Sequence, residues 1–158
     1  MFLVVTLLLA LSIVRGAPWL PTRHKQVEQA LDLLDLQPGQ TMIDLGSGDG
    51  KVLAAAARRG WRGIGYEINP ILYLWGLVRT WPYRDLVSLK LQSYWSVKLP
   101  EADGIYVFLI DHYMKQLDKK LTQDIDISTS VVSYVFPIPG READHEQQGL
   151  YLYTYGES

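Results

Sequence analysis

The sequence predicts an α/β domain with a Rossmann-like fold, in which helices cover both faces of a mostly parallel sheet. Strand-like and helix-like segments alternate along most of the chain, which is typical of a parallel sheet buried on both sides. A strand that ends at Leu45 also runs into a glycine-rich loop at residues 46–50, and the following strand ends on Glu67. Nucleotide-binding α/β domains hold a ribose-bearing ligand at this edge of the sheet.

Each element is predicted from local signals. Apolar residues at helical spacing indicate a first helix over residues 24–36, which Pro38-Gly39 ends. Asn69-Pro70 is typical of an N-cap followed by proline at the first helical position. The remaining helices are predicted at 51–59, 70–79 and 114–121, and the strands at 41–45, 62–67, 86–91, 104–110, 130–136 and, as an antiparallel last strand, 150–155.

Composition limits the classes of function. The 158 residues are enough for one small domain, and we assign residues 21–158 to it. The formal net charge is -2 and the basic residues are scattered, so we expect no nucleic-acid partner. The chain has no cysteine, which excludes thiolate metal sites, and we predict no metal.

Residues 1–20 stand apart from the strand-helix alternation. The first fourteen are apolar except for Thr6 and Ser12. As a helix they would measure about 20 Å, which is shorter than the ~30 Å hydrocarbon core of a bilayer. A signal peptide is disfavoured because no basic residue precedes the run, and a surface helix because no polar side is visible. A short membrane anchor and a helix packed on protein both remain open. The anchor would place the domain on the cytoplasmic side of a membrane, and the packed helix would make the protein cytoplasmic.

The glycine loop indicates the type of ligand. Its Gly-x-Gly-x-Gly spacing differs from the dinucleotide-binding pattern, and Val52 stands where a phosphate-binding P-loop needs a hydroxyl. Asp44 and Asp49 place carboxylates around the glycines, which suits a cationic ligand better than a pyrophosphate. S-adenosylmethionine carries a ribose, a sulfonium and an ammonium and has no phosphate. Glu67 stands where a ribose-binding acid is expected. The alternative is a tight turn that merely requires glycine, followed by a solvated acid.

Two segments resemble the first two motifs of class I S-adenosylmethionine-dependent methyltransferases. More narrowly, the chain is similar to the small protein-lysine methyltransferases related to the ATP synthase c-subunit lysine methyltransferase. That resemblance also covers the apolar N-terminus, a proline-containing segment at 18–22, and the strand and loop at 131–140. The two motifs are Asp44-Leu45-Gly46-Ser47-Gly48-Asp49-Gly50-Lys51-Val52 and Gly65-Tyr66-Glu67-Ile68-Asn69-Pro70.

The resemblance implies S-adenosylmethionine as cofactor and a role for each matching residue. Asp44 would order the methionine ammonium, and Glu67 would hold the ribose with Asn69 nearby. The backbone of Gly46, Ser47 and Gly48 would pass beneath the methionine part. Ser93-Tyr94 stands where relatives have an acid before an aromatic residue that meets adenine, so both are candidate cofactor ligands. Core packing of Tyr94 and Trp95 is an equal alternative.

The resemblance further implies that the acceptor is a protein lysine. Acceptors lie beyond the fourth strand, where this chain has Asp111-His112-Tyr113 in place of the Asn/Asp-Pro-Pro-Tyr/Phe motif. Asp111 is the candidate catalytic residue because its carboxylate can receive a lysine ammonium. It can also cap the following helix, and we favour this second role. A small or lipid-like acceptor, and a non-catalytic cofactor-binding scaffold, are the alternative functions.

Overall fold

The computed structural model describes residues 24–157, which form one seven-stranded sheet with helices on both faces. In chain order the elements are α1 (His24–Leu34), β1 (Thr41–Leu45), α2 (Lys51–Arg58), β2 (Arg62–Glu67), α3 (Pro70–Thr80), a 3₁₀ turn (Trp81–Tyr83), β3 (Val87–Leu91), a second 3₁₀ turn (Tyr94–Ser96), β4 (Gly104–Val107), α4 (Asp111–Asp124), β5 (Thr129–Tyr134), β6 (His145–Gln147) and β7 (Leu150–Tyr155). The strand order is β3-β2-β1-β4-β5-β7-β6. Strands β1 to β5 pair in parallel, and β7 pairs antiparallel with both β5 and β6.

Two apolar cores, one on each face of the sheet, hold the domain together. On one face Met114, Leu117 and Leu121 of α4 pack against β1, β4 and β5. On the other face α1 and α2 pack on the same strands, and α3 lies beside α2 over β3. Strand β4 is buried along its whole length, as its unbroken apolar sequence predicts. The predicted fold class is therefore confirmed.

The centre of the sheet is a topological switch point. Strand β1 pairs with both β2 and β4. Strands β2 and β3 lie on one side of β1, and β4 and β5 lie on the other side. Leu45 at the end of β1 lies opposite Val107 at the end of β4. The loops that follow these two strands diverge, which leaves a crevice at the carboxyl edge where α/β sheets bind their ligands.

Most predicted elements form, with shifts at their ends. Asn69 caps α3 by accepting from the amides of Ile71 and Leu72, and proline occupies the first turn as predicted. The strand predicted at 104–110 ends at Val107, because residues 108–110 leave the sheet to start α4. Strand β6 has no counterpart among the predicted elements. Its three exposed residues pair only with β7, so they carry no apolar signal of burial.

The apolar N-terminal run at residues 1–20 lies outside the described residues. Between residues 24 and 157, no helix is both long enough and apolar enough to cross a bilayer. The described domain begins with α1, whose buried residues Val27, Ala30, Leu31 and Leu34 all follow that run.

Deleting residues 1–17 should leave the folded domain intact and weaken its attachment to membranes. We expect this because the buried side of α1 starts only at Val27. Fractionation and calorimetry with the cofactor check both halves of the prediction. Precipitation or unfolding of the truncated protein in detergent-free buffer would show that the segment belongs to the core.

Candidate active site

The loop between β1 and α2 lies with its backbone against β2 and open on its other side. The amides of Gly46 and Ser47 both donate to the carbonyl of Tyr66, at 3.0 and 2.9 Å. Gly46 has a φ of +89°, and a Cβ added there would meet nothing within 4 Å. A Cβ on Gly65 would come within 2.9 Å of the Ser47 Cβ and 2.5 Å of Leu53. Glycine at 65 therefore lets the loop approach β2, and glycine at 46 leaves bare backbone facing outward.

Glu67 connects the glycine loop to the start of α3. The side chain is 7% exposed. Its Oε2 accepts from the Gly48 amide at 2.8 Å, and its Oε1 accepts from the Asn69 amide at 2.7 Å. Each carboxylate oxygen keeps a further lone pair for a ligand hydroxyl. Glu67 is therefore both a candidate ribose acceptor and a structural tie, and the sequence indicated only the first of these.

Asp44 is a buried carboxyl group next to this loop. It lies near the end of β1 and is 2% exposed, and its Oδ2 has no hydrogen-bond partner within residues 24–157. Burial, followed by the charges of Glu67 and Asp49, raises the pKa of Asp44 from 3.8 to about 8. Without a ligand the group is therefore mostly protonated at neutral pH. A cation bound at this position would supply the missing partner and lower the pKa again.

Two further polar atoms at this edge are buried without a partner in the described chain, namely Ser47 Oγ and Asn69 Nδ2. With Asp44 they form a cluster of hydrogen-bonding groups around the exposed backbone of Gly46. A ligand with a cationic group and hydroxyls satisfies such a set, because an unpaired buried polar group costs about 1–3 kcal/mol. The residues thus fit the predicted S-adenosylmethionine, whose ammonium and ribose supply both kinds of group.

The second loop carboxylate has a different role from the one expected. The sequence predicts that Asp49, together with Asp44, favours a cationic ligand. In the structure the Asp49 Oδ2 forms an ion pair with Arg79 of α3 at 2.8 Å, and the Asp49 carbonyl accepts from the Arg79 Nε. Arg79 therefore pairs with Asp49, whereas the Oδ2 of Asp44 has no partner in the described residues.

The predicted adenine-side residues are held by the second 3₁₀ turn. Ser93 Oγ accepts from the Trp95 amide at 3.3 Å and caps that turn. Tyr94 is buried in the α4-side core, and burial, with smaller effects of Tyr113 and Glu67, raises the pKa of its phenol. Tyr94 is therefore a core residue, and its contact with adenine stays a prediction.

Aromatic side chains continue from Tyr94 towards the loop after β4. The Tyr94 and Trp95 rings are 4.7 Å apart, and the Trp95 and Tyr113 rings are 6.4 Å apart. Tyr113 was not predicted as a site residue. Its position just beyond the fourth strand was the available signal, since loops that follow parallel strands converge at one edge.

The prediction that Asp111 caps α4 is wrong. The N-cap is Ile110, no side chain caps the helix, and Asp111 is the first helical residue. The chain turns into the helix one residue earlier than expected, so the Asp111 carboxylate is exposed in the first turn. An acid there interacts favourably with the helix dipole. His112 beside it is also exposed and meets the Tyr113 ring edge-on at 5.1 Å.

The residues at this edge of the sheet match a known protein family. Residues 44–145, which begin at Asp44 and include the loop, Glu67 and Tyr113, match the family model described as ANTKMT methyltransferase domain. The chain belongs to this methyltransferase family. The resemblance inferred from the two glycine and acid motifs is therefore confirmed.

Curated relatives of this chain share about a third of their aligned residues with it. The ATP synthase c-subunit lysine N-methyltransferase of Homo sapiens is 32% identical over 130 residues, covering 81% of this chain and 55% of that protein. The adenine nucleotide translocase lysine N-methyltransferase of Mus musculus is 37% identical over 127 residues, covering 77% of this chain and 54% of that protein. The chain thus spans about half the length of these curated relatives.

Among solved structures, an RNA methyltransferase from Salinibacter ruber in complex with S-adenosyl-L-homocysteine superimposes with a TM-score of 0.82. It is 29% identical, and the match covers 88% of this chain and 95% of the Salinibacter chain. The strand order and the carboxyl-edge crevice thus belong to a fold that binds the demethylated cofactor in that relative.

Proposed function

We propose that this chain transfers a methyl group from S-adenosylmethionine to the ε-nitrogen of a protein lysine. The observation that carries the proposal is the buried, unpartnered carboxyl oxygen of Asp44 beside the exposed backbone of Gly46. This arrangement suits a ligand ammonium. It suits a phosphate poorly, because a second acid, Glu67, already occupies the adjoining backbone amides.

The cofactor would supply an electrophilic methyl group carried on a sulfonium. The residues of this chain would supply its position. Asp44 would accept from the ammonium, Glu67 from the ribose hydroxyls, and Asn69 would donate through its unpaired Nδ2. Orientation of this kind accounts for much of the rate enhancement in group transfer.

The acceptor would approach from the side of β4. Trp95 and Tyr113 are half-buried there, and Asp111 is exposed beside them. A lysine must lose its proton before it can accept a methyl group. Contact with these aromatic rings would remove water from the amine, which lowers the pKa of a lysine. The aromatic rings would thus favour the neutral amine, and Asp111 would attract the charged amine to the entrance.

The names of two relatives support a protein acceptor, and the name of a third supports an RNA acceptor. Two relatives more than 30% identical are named as lysine N-methyltransferases, and a third, 29% identical, is named as an RNA methyltransferase. The net charge of -2 favours the protein acceptor, because RNA binding usually needs a basic face.

The test is transfer of tritium from S-adenosylmethionine into membrane and soluble fractions, each digested separately with protease and with ribonuclease. We expect protease-sensitive label, and mass spectrometry should place the methyl group on lysine. Ribonuclease-sensitive label, or label that extracts with lipid, would overturn the protein assignment. Cofactor binding without turnover on any fraction would favour the scaffold alternative. Asp44→Asn serves as the cofactor-deficient control.

S-adenosylmethionine and its demethylated product should bind at micromolar to submillimolar concentrations, and NAD should not bind detectably. The reason is the Glu67 carboxylate, which a pyrophosphate would meet at the Gly48 amide of the loop. Isothermal titration calorimetry measures both ligands under identical conditions. Tighter binding of NAD than of S-adenosylmethionine would contradict the cofactor assignment.

Replacing Asp111 with asparagine should reduce methylation by less than about tenfold, mainly through a higher KM for the acceptor. An exposed carboxylate attracts an ammonium by only about 1 kcal/mol in water. A group that removed the lysine proton would instead be worth about 100-fold in kcat. Steady-state kinetics separate the two roles. Glu101→Gln, which removes another exposed acid, is the matched control.

A further inference from the structure

Helix α3 is apolar on the side that faces solvent as well as on the side that faces the sheet. Its buried side consists of Leu72, Gly76 and Thr80. A surface helix normally turns polar residues outward, and a contiguous exposed apolar patch marks a surface that another molecule covers. The outward residues, which we name the α3 apolar face, are Leu74 (58% exposed), Trp75 (59%), Leu77 (38%), Val78 (77%) and Trp81 (66%).

We propose that the α3 apolar face is a membrane-docking surface that inserts into the headgroup region of an anionic bilayer. The proposal does not depend on the methyltransferase activity. Two other occupants would also cover apolar side chains, namely the N-terminal residues of the same chain and a second copy of the protein. The sequence of the N-terminal run and the residue types around α3 favour the bilayer.

The N-terminal run is a poor cover for this face. Residues 1–14 are apolar except for Thr6 and Ser12, so the run has no polar side to turn outward. If one side of the run packed on α3, its other apolar side would be left in water. The exposed apolar area of α3 would then be replaced by that of the run. A bilayer can cover the N-terminal run and the α3 apolar face together. The linker of nine residues at 15–23 can span up to about 30 Å, so the run and the face can contact the same membrane.

The residue types around α3 also match a lipid surface. Arg79 is paired with Asp49, and Arg84 lies over the Trp81 ring at 5.3 Å. Tryptophan and arginine together are typical of membrane interfaces, where the ring sits at headgroup level and the cation meets anionic lipid.

Docking would place the cofactor crevice next to the membrane. Helix α3 begins at Pro70, directly after Asn69 and Glu67, and its eleven residues measure about 16 Å. A helix lying along the bilayer surface thus has its first turn at the cofactor site. An acceptor group would then be reached at the level of the lipid headgroups, on a molecule that sits in or on the same membrane.

The absence of cysteine allows a local test in the full-length chain. Val78→Cys and Leu74→Cys each place a single thiol on the α3 apolar face, and Gln123→Cys places one on exposed α4 across the sheet as the control. Each thiol is labelled with a fluorophore whose emission shifts to the blue in an apolar environment. The label is read in buffer over a range of protein concentrations. It is then read with vesicles of phosphatidylcholine containing about 30% phosphatidylglycerol, with and without brominated acyl chains.

We expect a blue shift at positions 74 and 78 on addition of vesicles, with about twofold or greater quenching by brominated lipid, and no change at position 123. Insertion by about 5–10 Å brings the face to the acyl boundary where the bromines lie. Three results would overturn the proposal. A blue shift already present in buffer at all concentrations would indicate cover by the chain itself, and one that grows with concentration would indicate a second copy. Flotation with vesicles without a change at 74 or 78 would show that membrane contact is made elsewhere.

Discussion

Replacing Asp44 with asparagine should stabilise the ligand-free domain above neutral pH and remove most of its affinity for S-adenosylmethionine. Burial and the neighbouring acids raise the pKa of Asp44 to about 8 in the folded chain, so the folded state holds this proton more tightly than the unfolded state. The stabilising contribution of the proton is complete below about pH 4. It is lost as the pH rises towards 8, where the charged carboxylate becomes a cost. Asparagine remains neutral and avoids that cost.

The same substitution should weaken cofactor binding by at least tenfold, because a hydrogen bond to a charged partner is worth about 1.5–3 kcal/mol. In the parent protein, binding of the cofactor ammonium should release a proton from Asp44 between about pH 6 and 7.5, a release that the variant lacks. Calorimetry in buffers with different ionisation enthalpies measures this proton directly.

The control for this experiment is Asp126→Asn, which removes an equal charge at a side chain that is 69% exposed and paired with Lys98. It should change neither the proton release nor the affinity. Unaltered S-adenosylmethionine binding by Asp44→Asn would refute the assignment of Asp44 to the ammonium. Equal thermal stability of parent and variant from about pH 6 to 8.5 would show that the carboxyl group is not held neutral.

Replacing Glu67 with alanine should damage both the cofactor site and the fold around it. The buried amides of Gly48 and Asn69 would lose their acceptors, which costs about 1–3 kcal/mol for each unpaired group. Removing the charge also relieves part of the repulsion on Asp44, so we expect a net loss of about 2–4 kcal/mol in the free energy of unfolding. Cofactor affinity should fall by a further ~1–3 kcal/mol, or about 5- to 150-fold, through the missing ribose contacts.

Denaturant unfolding and calorimetry measure the two effects of Glu67→Ala separately. Glu67→Gln is the informative companion, because it keeps the volume and one acceptor oxygen but turns an amide NH₂ towards a backbone donor. It should fall between parent and alanine variant in stability. A cofactor dissociation constant that is unchanged in Glu67→Ala, with an intact circular dichroism spectrum, would remove Glu67 from the site.

Features that depend on short stretches of chain were predictable from the sequence alone. Three such features are the glycine loop after β1, the acid at the end of β2 and the Asn69-Pro70 start of α3. Each was predictable because it depends on the types of a few adjacent residues. The alternation of strands and helices then predicted the sheet and the position of the site at its carboxyl edge. The family followed from the same residues.

Only the tertiary structure decided how those residues act on one another. The pKa of Asp44 depends on burial and on Glu67, 23 residues away in sequence. The pairing of Asp49 with Arg79 joins a loop to the far end of α3, and no sequence pattern indicates such a contact. Asp111 is the first residue of α4 and lies one position after the N-cap. Local sequence signals do not place the start of a helix to within one residue.

The α3 apolar face illustrates the same distinction most clearly. Residues 70–78 of α3 include no charged residue, so their sequence does not reveal which side faces the core. Periodicity carries orientation only when polar residues mark the other side. The glycines that meet at the α2–α3 contact set the rotation of α3, because a Cβ on Gly50 would come within 3.1 Å of the Gly76 Cα. That close approach turns Trp75 and Val78 outward, so the exposed surface follows from packing between two helices.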